Sequence, residues 1–184
     1  MIAQLSSKFY HGLLDKISAK EIIVINVEIK RETDLSADVV WNEMRHFDRV
    51  LRWVPGGNTS RIEISGEGIG MVRDIHLSTQ GYVQHQLVDF DDTQRMLSYK
   101  LTAGKPVGMQ EYKVKATVTP LDENRCLIRW AGQMRADDRV DEIEVGKALE
   151  TALDNMVTGT IALLKGEPAI FKEQPLEDWQ KQHT

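Results

Sequence analysis

The chain has 184 residues and a formal charge of −5, from 23 basic and 28 acidic side chains. That length suits one domain burying roughly 70% of the surface its unfolded chain exposes, and scattered rather than clustered basic residues argue against a nucleic-acid partner. No apolar run reaches the roughly 18 residues of a membrane span, and Cys126, the single cysteine, offers no intramolecular disulfide and no thiolate metal cluster, so the chain reads as soluble and cytoplasmic.

Residues 2–18 place Ile2, Leu5, Phe9, Leu13 and Ile17 at a spacing near four, which predicts a short amphipathic helix. The β-branched run 22–31 predicts a first strand. Ser36 is a candidate N-cap for a helix with Val39, Val40, Met44 and Phe47 on one side, and a broken helical turn over 48–54 stops at Pro55, Gly56 and Gly57. Six more strands follow with hairpin-length links, over 59–65, 70–77, 82–90, 95–101, 109–119 and 126–135. Asp137 and Asp138 are candidate caps for a long helix from Arg139 to Lys165, which Gly166 and Pro168 end. The tail from 167 reads as polar and frayed. The order predicts an α+β domain in which a curved antiparallel sheet wraps the final helix.

Gly66, Gly68 and Gly70 raise the question of a phosphate loop. A dinucleotide fingerprint needs its glycines to open a helix whose N-terminus meets the pyrophosphate. Here an alternating strand, Met71 to Leu77, comes next, the spacing misses G-x-G-x-x-G, and no P-loop Lys-Ser/Thr follows, so the glycines read as a turn. His11, His46, His76, His85 and His183 show no zinc spacing, no G-x-S-x-G elbow is present, and the pairs Asp91–Asp92 and Asp137–Asp138 fall at a turn and a helix start. No cofactor or metal is expected.

With that order laid out, "VW" at 40–41, "RHFDRVLRWVP" at 45–55, "GEGIGMVRDIHL" at 66–77, "LVDFDDTQRMLSYKL" at 87–101 and "EYKVKATVTP" at 111–120 together resemble the START-like (SRPBCC, Bet v 1-like) helix-grip superfamily, in its bacterial polyketide cyclase/dehydrase-like branch. The resemblance covers about residues 22–165. It implies a seven-stranded curved antiparallel sheet around a long C-terminal helix, two short helices between strands 1 and 2, and a ligand cavity between sheet and helix. It divides the chain into an N-terminal helical extension (1–21), the helix-grip domain (22–166) and a polar C-terminal tail (167–184). It implies no reaction, because carriers, receptors, cyclases and protein-binding subunits share this fold and no catalytic set.

Strand alternation assigns the cavity wall. Ile75, Leu77 and Arg73 share one side of 70–77; Val83, His85 and Leu87 share one side of 82–90; Tyr99, Tyr112 and Trp130 join them from later strands. On the long helix, Ala148, Ala152, Asn155 and Gly159 form a small-residue stripe beside Leu149, Leu153 and Met156, a stripe that serves either a ligand or close helix–sheet approach. Trp53 is placed at the cavity mouth. The candidate ligand-binding set is therefore Trp53, Arg73, Ile75, Leu77, His85, Leu87, Tyr99, Tyr112, Trp130, Ala152, Asn155, Met156 and Gly159. His85 is the candidate acid/base, since a neutral imidazole both donates and accepts, although a hydrogen-bonded structural histidine fits the same pattern. It stands where the resembled family often has glutamate. A buried Arg73 would require a partner, for which Asp48 and Asp74 are candidates. Against the plant abscisic-acid receptors of the superfamily, Val54 falls where a carboxylate-binding lysine stands, which disfavours an acidic hormone-like ligand.

Three functions follow as expectations. The first is binding or transport of a small hydrophobic or aromatic ligand by cavity burial plus one or two hydrogen bonds. The second is a polyketide cyclase/dehydratase-like enzyme in which His85 and a tyrosine move protons. The third is an interaction protein with a filled core, whose helix at 2–18 pairs with a second copy in a homodimer or with another partner.

Overall fold

The computed structural model describes residues 24–173 apart from 79 and 80; the helix expected over 2–18 lies outside the described residues. Seven strands form one antiparallel sheet: β1 (Ile25–Thr33), β2 (Arg61–Ser65), β3 (Val72–Leu77), β4 (Gly81–Asp91), β5 (Met96–Gly104), β6 (Met109–Pro120) and β7 (Cys126–Ala136). Their order is β1-β7-β6-β5-β4-β3-β2, so the first and last strands pair and β2 forms the far edge. Between β1 and β2 lie helix α1 (Ala37–Met44) and 3₁₀ turns at Phe47–Arg52 and Gly57–Thr59. Helix α2 (Glu142–Lys165) packs on β1, β7 and α1. Its 24 residues span about 36 Å at 1.5 Å per residue, enough to cross the curved sheet. None of the helices among the described residues is long and apolar enough to cross a membrane.

The glycine turn between β2 and β3 has a conformational cause. Gly66, Gly68 and Gly70 have φ of +77°, +58° and +98°, the left-handed region that side chains disfavour. Gly70 N–H donates to the Leu87 carbonyl at 2.8 Å and Leu87 N–H returns a bond to the Met71 carbonyl at 2.9 Å, so the turn folds onto β4.

Three expectations change. Val39 is 46% exposed, and the buried face of α1 is Ala37, Val40, Trp41 and Met44; at 100° per residue, Val39 turns away from Val40's neighbours one turn on. The cap of α2 is Asp141, whose carboxylate accepts from Ile143 N and Glu144 N. Asp137 is instead bound by Arg139 and by Lys105 at 3.0 Å, which hold its carboxyl well below the usual carboxylate range and tie the β5–β6 link to the approach to α2. The start of the tail is held rather than frayed. Asn155 of α2 donates Nδ2–H to the Lys172 carbonyl at 2.9 Å and accepts from Lys172 N at 2.8 Å, while Lys172 Nζ reaches Asp154 at 2.8 Å.

Candidate functional site

Arg73 and His85 are register partners on β3 and β4, so their side chains leave the sheet together on its inner face. Arg73 Nε–H donates to His85 Nδ1 at 3.2 Å, and Arg73 Nη1 donates to the Phe47 carbonyl at 2.8 Å. Arginine has no acceptor atoms, so Nδ1 must be the unprotonated ring nitrogen and Nε2 carries the proton. His85 Nε2 is hydrogen-bonded to the Tyr112 hydroxyl of β6. In that tautomer the ring donates to the phenol oxygen, which leaves the phenol's own proton free for another acceptor.

Aromatic rings enclose this chain of bonds. The Arg73 guanidinium carbon lies 4.0 Å from the centre of the Phe47 ring and 4.8 Å from that of Tyr99 on β5, a cation–π stack on two faces. The His85 ring is 4.9 Å from Tyr99 and 5.3 Å from Tyr112, centre to centre. Burial, reinforced by the Arg73 charge, pushes His85 well below 6.5. It pushes the Tyr99 phenol up to about 12, against the opposing pull of Arg73, and drives Tyr112 well above 10, with Tyr99 adding to the rise. At neutral pH the group therefore consists of one cation, a neutral imidazole and two neutral phenols.

Above it, between sheet and α2, is a cavity of about 110 Å³. Arg73, Ile75, Leu77, His85, Tyr99 and Tyr112 line it from β3, β4, β5 and β6, and Ala152, Asn155 and Met156 line it from α2. Leu149 and Leu153, which the helix pattern also put here, complete the helical wall. The mouth is built by Leu51 in the first 3₁₀ turn, by Val54 and Pro55 after it, and by Pro106 and Met109 at the β5–β6 link. The sequence put Val54 and the neighbouring Trp53 at this end of the cavity, but not Leu51 or Pro106, because irregular backbone has no periodicity to read.

Four candidates lie elsewhere. Leu87 sits beside Tyr99 in the sheet register, inside the packed core. Trp130 packs edge-on against Tyr99 and Trp53, at 6.3 and 6.1 Å, and is buried behind the cavity wall. Trp53 is likewise buried, and its carbonyl presses on Gly159. The small-residue stripe of α2 thus has two uses: Ala148, Ala152 and Asn155 border the cavity, while Gly159 permits close approach of the 53–54 backbone. Asn155 brings no free polar atom to the cavity, since Lys172 occupies both ends of its amide. Arg73 also departs from the expected salt bridge: Asp74 points to the other face and accepts from Tyr82 and Gln84.

A curved seven-stranded antiparallel sheet closed over a long C-terminal helix, with a cavity between the layers, defines a helix-grip fold of the START-like, Bet v 1-like type. The chain belongs to the polyketide cyclase / dehydrase and lipid transport family, whose sequence model matches residues 24–166. No curated protein matches it. Among solved structures it is similar to norcoclaurine synthase from Thalictrum flavum in complex with a transition-state analogue (16% identity, TM-score 0.64, covering 79% of this chain and 96% of that one). The protein XoxI from Bacillus cereus aligns at 19% identity with a TM-score of 0.65, over 77% of this chain and 94% of the other. The Zhui aromatase/cyclase from Streptomyces sp. R1128 aligns at 17% identity with a TM-score of 0.61, over 78% and 93%. At these identities the likeness is one of fold.

Proposed function

We propose that this protein binds a small, mostly apolar molecule in the cavity between the sheet and α2. The observation that carries the reading is the join of an apolar chamber to one ordered polar wall, Arg73–His85–Tyr112, whose exposed end offers a proton. A filled core would not need that wall, because burying polar groups is costly unless they are used or fully paired. The size supports a compact ligand. An engineered cavity of about 150 Å³ admits benzene, and this one is smaller, at about 110 Å³, so one ring is the most it holds without opening and a multi-ring chain would require the mouth to open. Burying about 150 Å² of ring surface is worth about 4 kcal/mol at 25 cal/mol/Å². Loss of ligand freedom on association absorbs much of that, which leaves affinity and selectivity to the polar wall.

A cyclase or dehydratase-like enzyme is the second reading, favoured by the aligned hydrogen-bond chain. Within it, the Tyr112 phenol would be the proton donor and His85 a positioning residue. His85 is unsuited to take a proton, since the Arg73 N–H occupies its basic nitrogen.

Native mass spectrometry of the protein purified from its own host, followed by denaturing release, tests the reading. A stoichiometric small molecule is expected. An empty protein that also fails to take up single-ring aromatics would contradict it. Single-turnover assays on the released molecule then separate the two readings: unchanged ligand favours a carrier, and product lost in Tyr112→Phe favours the enzyme.

A further inference from the structure

Arg73 is a buried charge without a countercharge. It is 2% exposed, and its contacts are the Phe47 carbonyl, His85 Nδ1 and the faces of Phe47 and Tyr99, all neutral. The cavity lining holds no carboxylate, and among the described residues Arg73 has no ion pair. Burial lowers its proton affinity, opposed only by the Tyr99 and Tyr112 phenols and by no carboxylate, yet a guanidinium stays protonated in proteins. A buried cation in this state is strongly disfavoured until an anion joins it.

Of the four polar groups at the inner wall, His85 has both ring nitrogens engaged and the Tyr99 hydroxyl points at Met156 Sδ, at 3.9 Å, which leaves Arg73 and Tyr112 with protons for the cavity. Arg73 has donors only, and the Tyr112 hydroxyl, with its oxygen already receiving His85 Nε2–H, has its own proton to give. A group that only accepts, such as a carboxylate or an ionised phenol or enol, matches two convergent donors; a neutral alcohol or amide adds donors of its own that have no partner there. Building on the pocket reading above, we infer that the ligand is a single-ring acid whose anionic oxygen sits against Arg73 and Tyr112. The absence of a cation at Val54 led to the opposite expectation. Val54 does line the mouth, but the charge is supplied from β3, on the inner wall.

The probe is 4-nitrophenol, whose phenolate absorbs in the visible and whose phenol does not, paired with the neutral/anionic couple benzamide and benzoate as competitors. The charged and titratable groups facing the probe are Arg73 from β3, His85 from β4, Tyr99 from β5 and Tyr112 from β6; α2 contributes the non-titrating Asn155 and Met156. None of the neutral ones changes charge near pH 7 in the folded protein. The ionisation midpoint of bound nitrophenol should fall by about one pH unit or more relative to free probe, and benzoate should displace it at least about tenfold better than benzamide. In Arg73→Gln the shift should vanish while benzamide still competes, and Arg73→Lys should restore part of it. These wild-type readings stand even if Arg73→Gln fails to fold. Binding with an unshifted or raised midpoint, or equal competition by the two analogues, would overturn the acid inference and leave the pocket intact. Binding of none of these compounds would overturn both.

Discussion

Replacing Gly159 by alanine tests whether α2 seats against the 53–54 backbone as tightly as the structure shows. An alanine Cβ would lie 2.7 Å from the Trp53 carbonyl carbon, closer still to its oxygen, and 3.1 Å from the Phe171 ring. Carbon atoms in contact prefer about 3.5–4.0 Å, so helix and turn must separate by about 1 Å, and both sides are backbone. Overpacking of this kind costs about 1–3 kcal/mol. Removing a mid-helix glycine returns up to about 1 kcal/mol, but the backbone clash puts the cost at the upper end, for a net loss of about 2 kcal/mol. For a chain of this length that lowers Tm by about 4–8 °C. Thermal unfolding followed by circular dichroism measures it, with Gly146→Ala as the control. There the new methyl meets only the Ile25 side chain, at 3.3 Å, and stability should stay within about 0.5 kcal/mol or rise slightly. A Gly159→Ala protein that melts at or above the wild-type temperature would refute the close-approach assignment and return Gly159 to the cavity.

Two further outcomes follow. His85 is held neutral in the folded protein, below its ordinary 6.5, so as pH falls through 6.5 the unfolded chain gains a proton that the folded chain does not. Stability should therefore drop by up to about 1.4 kcal/mol per pH unit below 6.5, and His85→Gln should flatten that part of the urea-midpoint profile; an unchanged slope would contradict a buried neutral imidazole. Asn155→Ala removes both bonds to Lys172, which should cost about 1–2 kcal/mol and make residues 167–173 susceptible to limited proteolysis; equal protection in the variant would show that Phe171 and Lys172 hold the segment without the amide.

Much of the fold was legible because a half-buried strand writes its face into alternate residues. Arg73, Ile75 and Leu77, then Val83, His85 and Leu87, then Tyr112, Val114, Ala116 and Val118 do turn inward together. The pattern fails after Leu87, where a register shift in the β4–β5 pairing is followed by Phe90 packing on Trp41, with ring centres 5.7 Å apart. Helical positions were harder to read. Val39 and Val40 are adjacent apolar residues, yet only one faces the core. Capping was ambiguous as well, since Asp137, Asp138 and Asp141 all qualify chemically and only the backbone geometry selects Asp141.

The site was legible at its side chains and hidden at its backbone. Arg73, His85 and Tyr112 announced themselves as polar residues on an inward face. The Phe47 carbonyl that receives Arg73 has no sequence signal, because every residue carries one. For the same reason the role of Asn155 could not be read: its partner is the main chain of Lys172, seventeen residues on. The glycine at 159 looked like room for a ligand because the sequence shows which side chains are small and not what approaches them.

A binding cavity between α2 and the sheet must admit a ring from solution. Methyl-resolved NMR during titration with toluene, a neutral single-ring probe that makes no demand on charge, tests it most directly. Saturable shifts should concentrate on Ile75, Leu77, Val83, Leu149, Leu153 and Met156, which line the cavity, and spare Leu127 and Leu121 at the β6–β7 end. Absence of saturable shifts, or shifts spread over surface methyls with the cavity set unmoved, would contradict it.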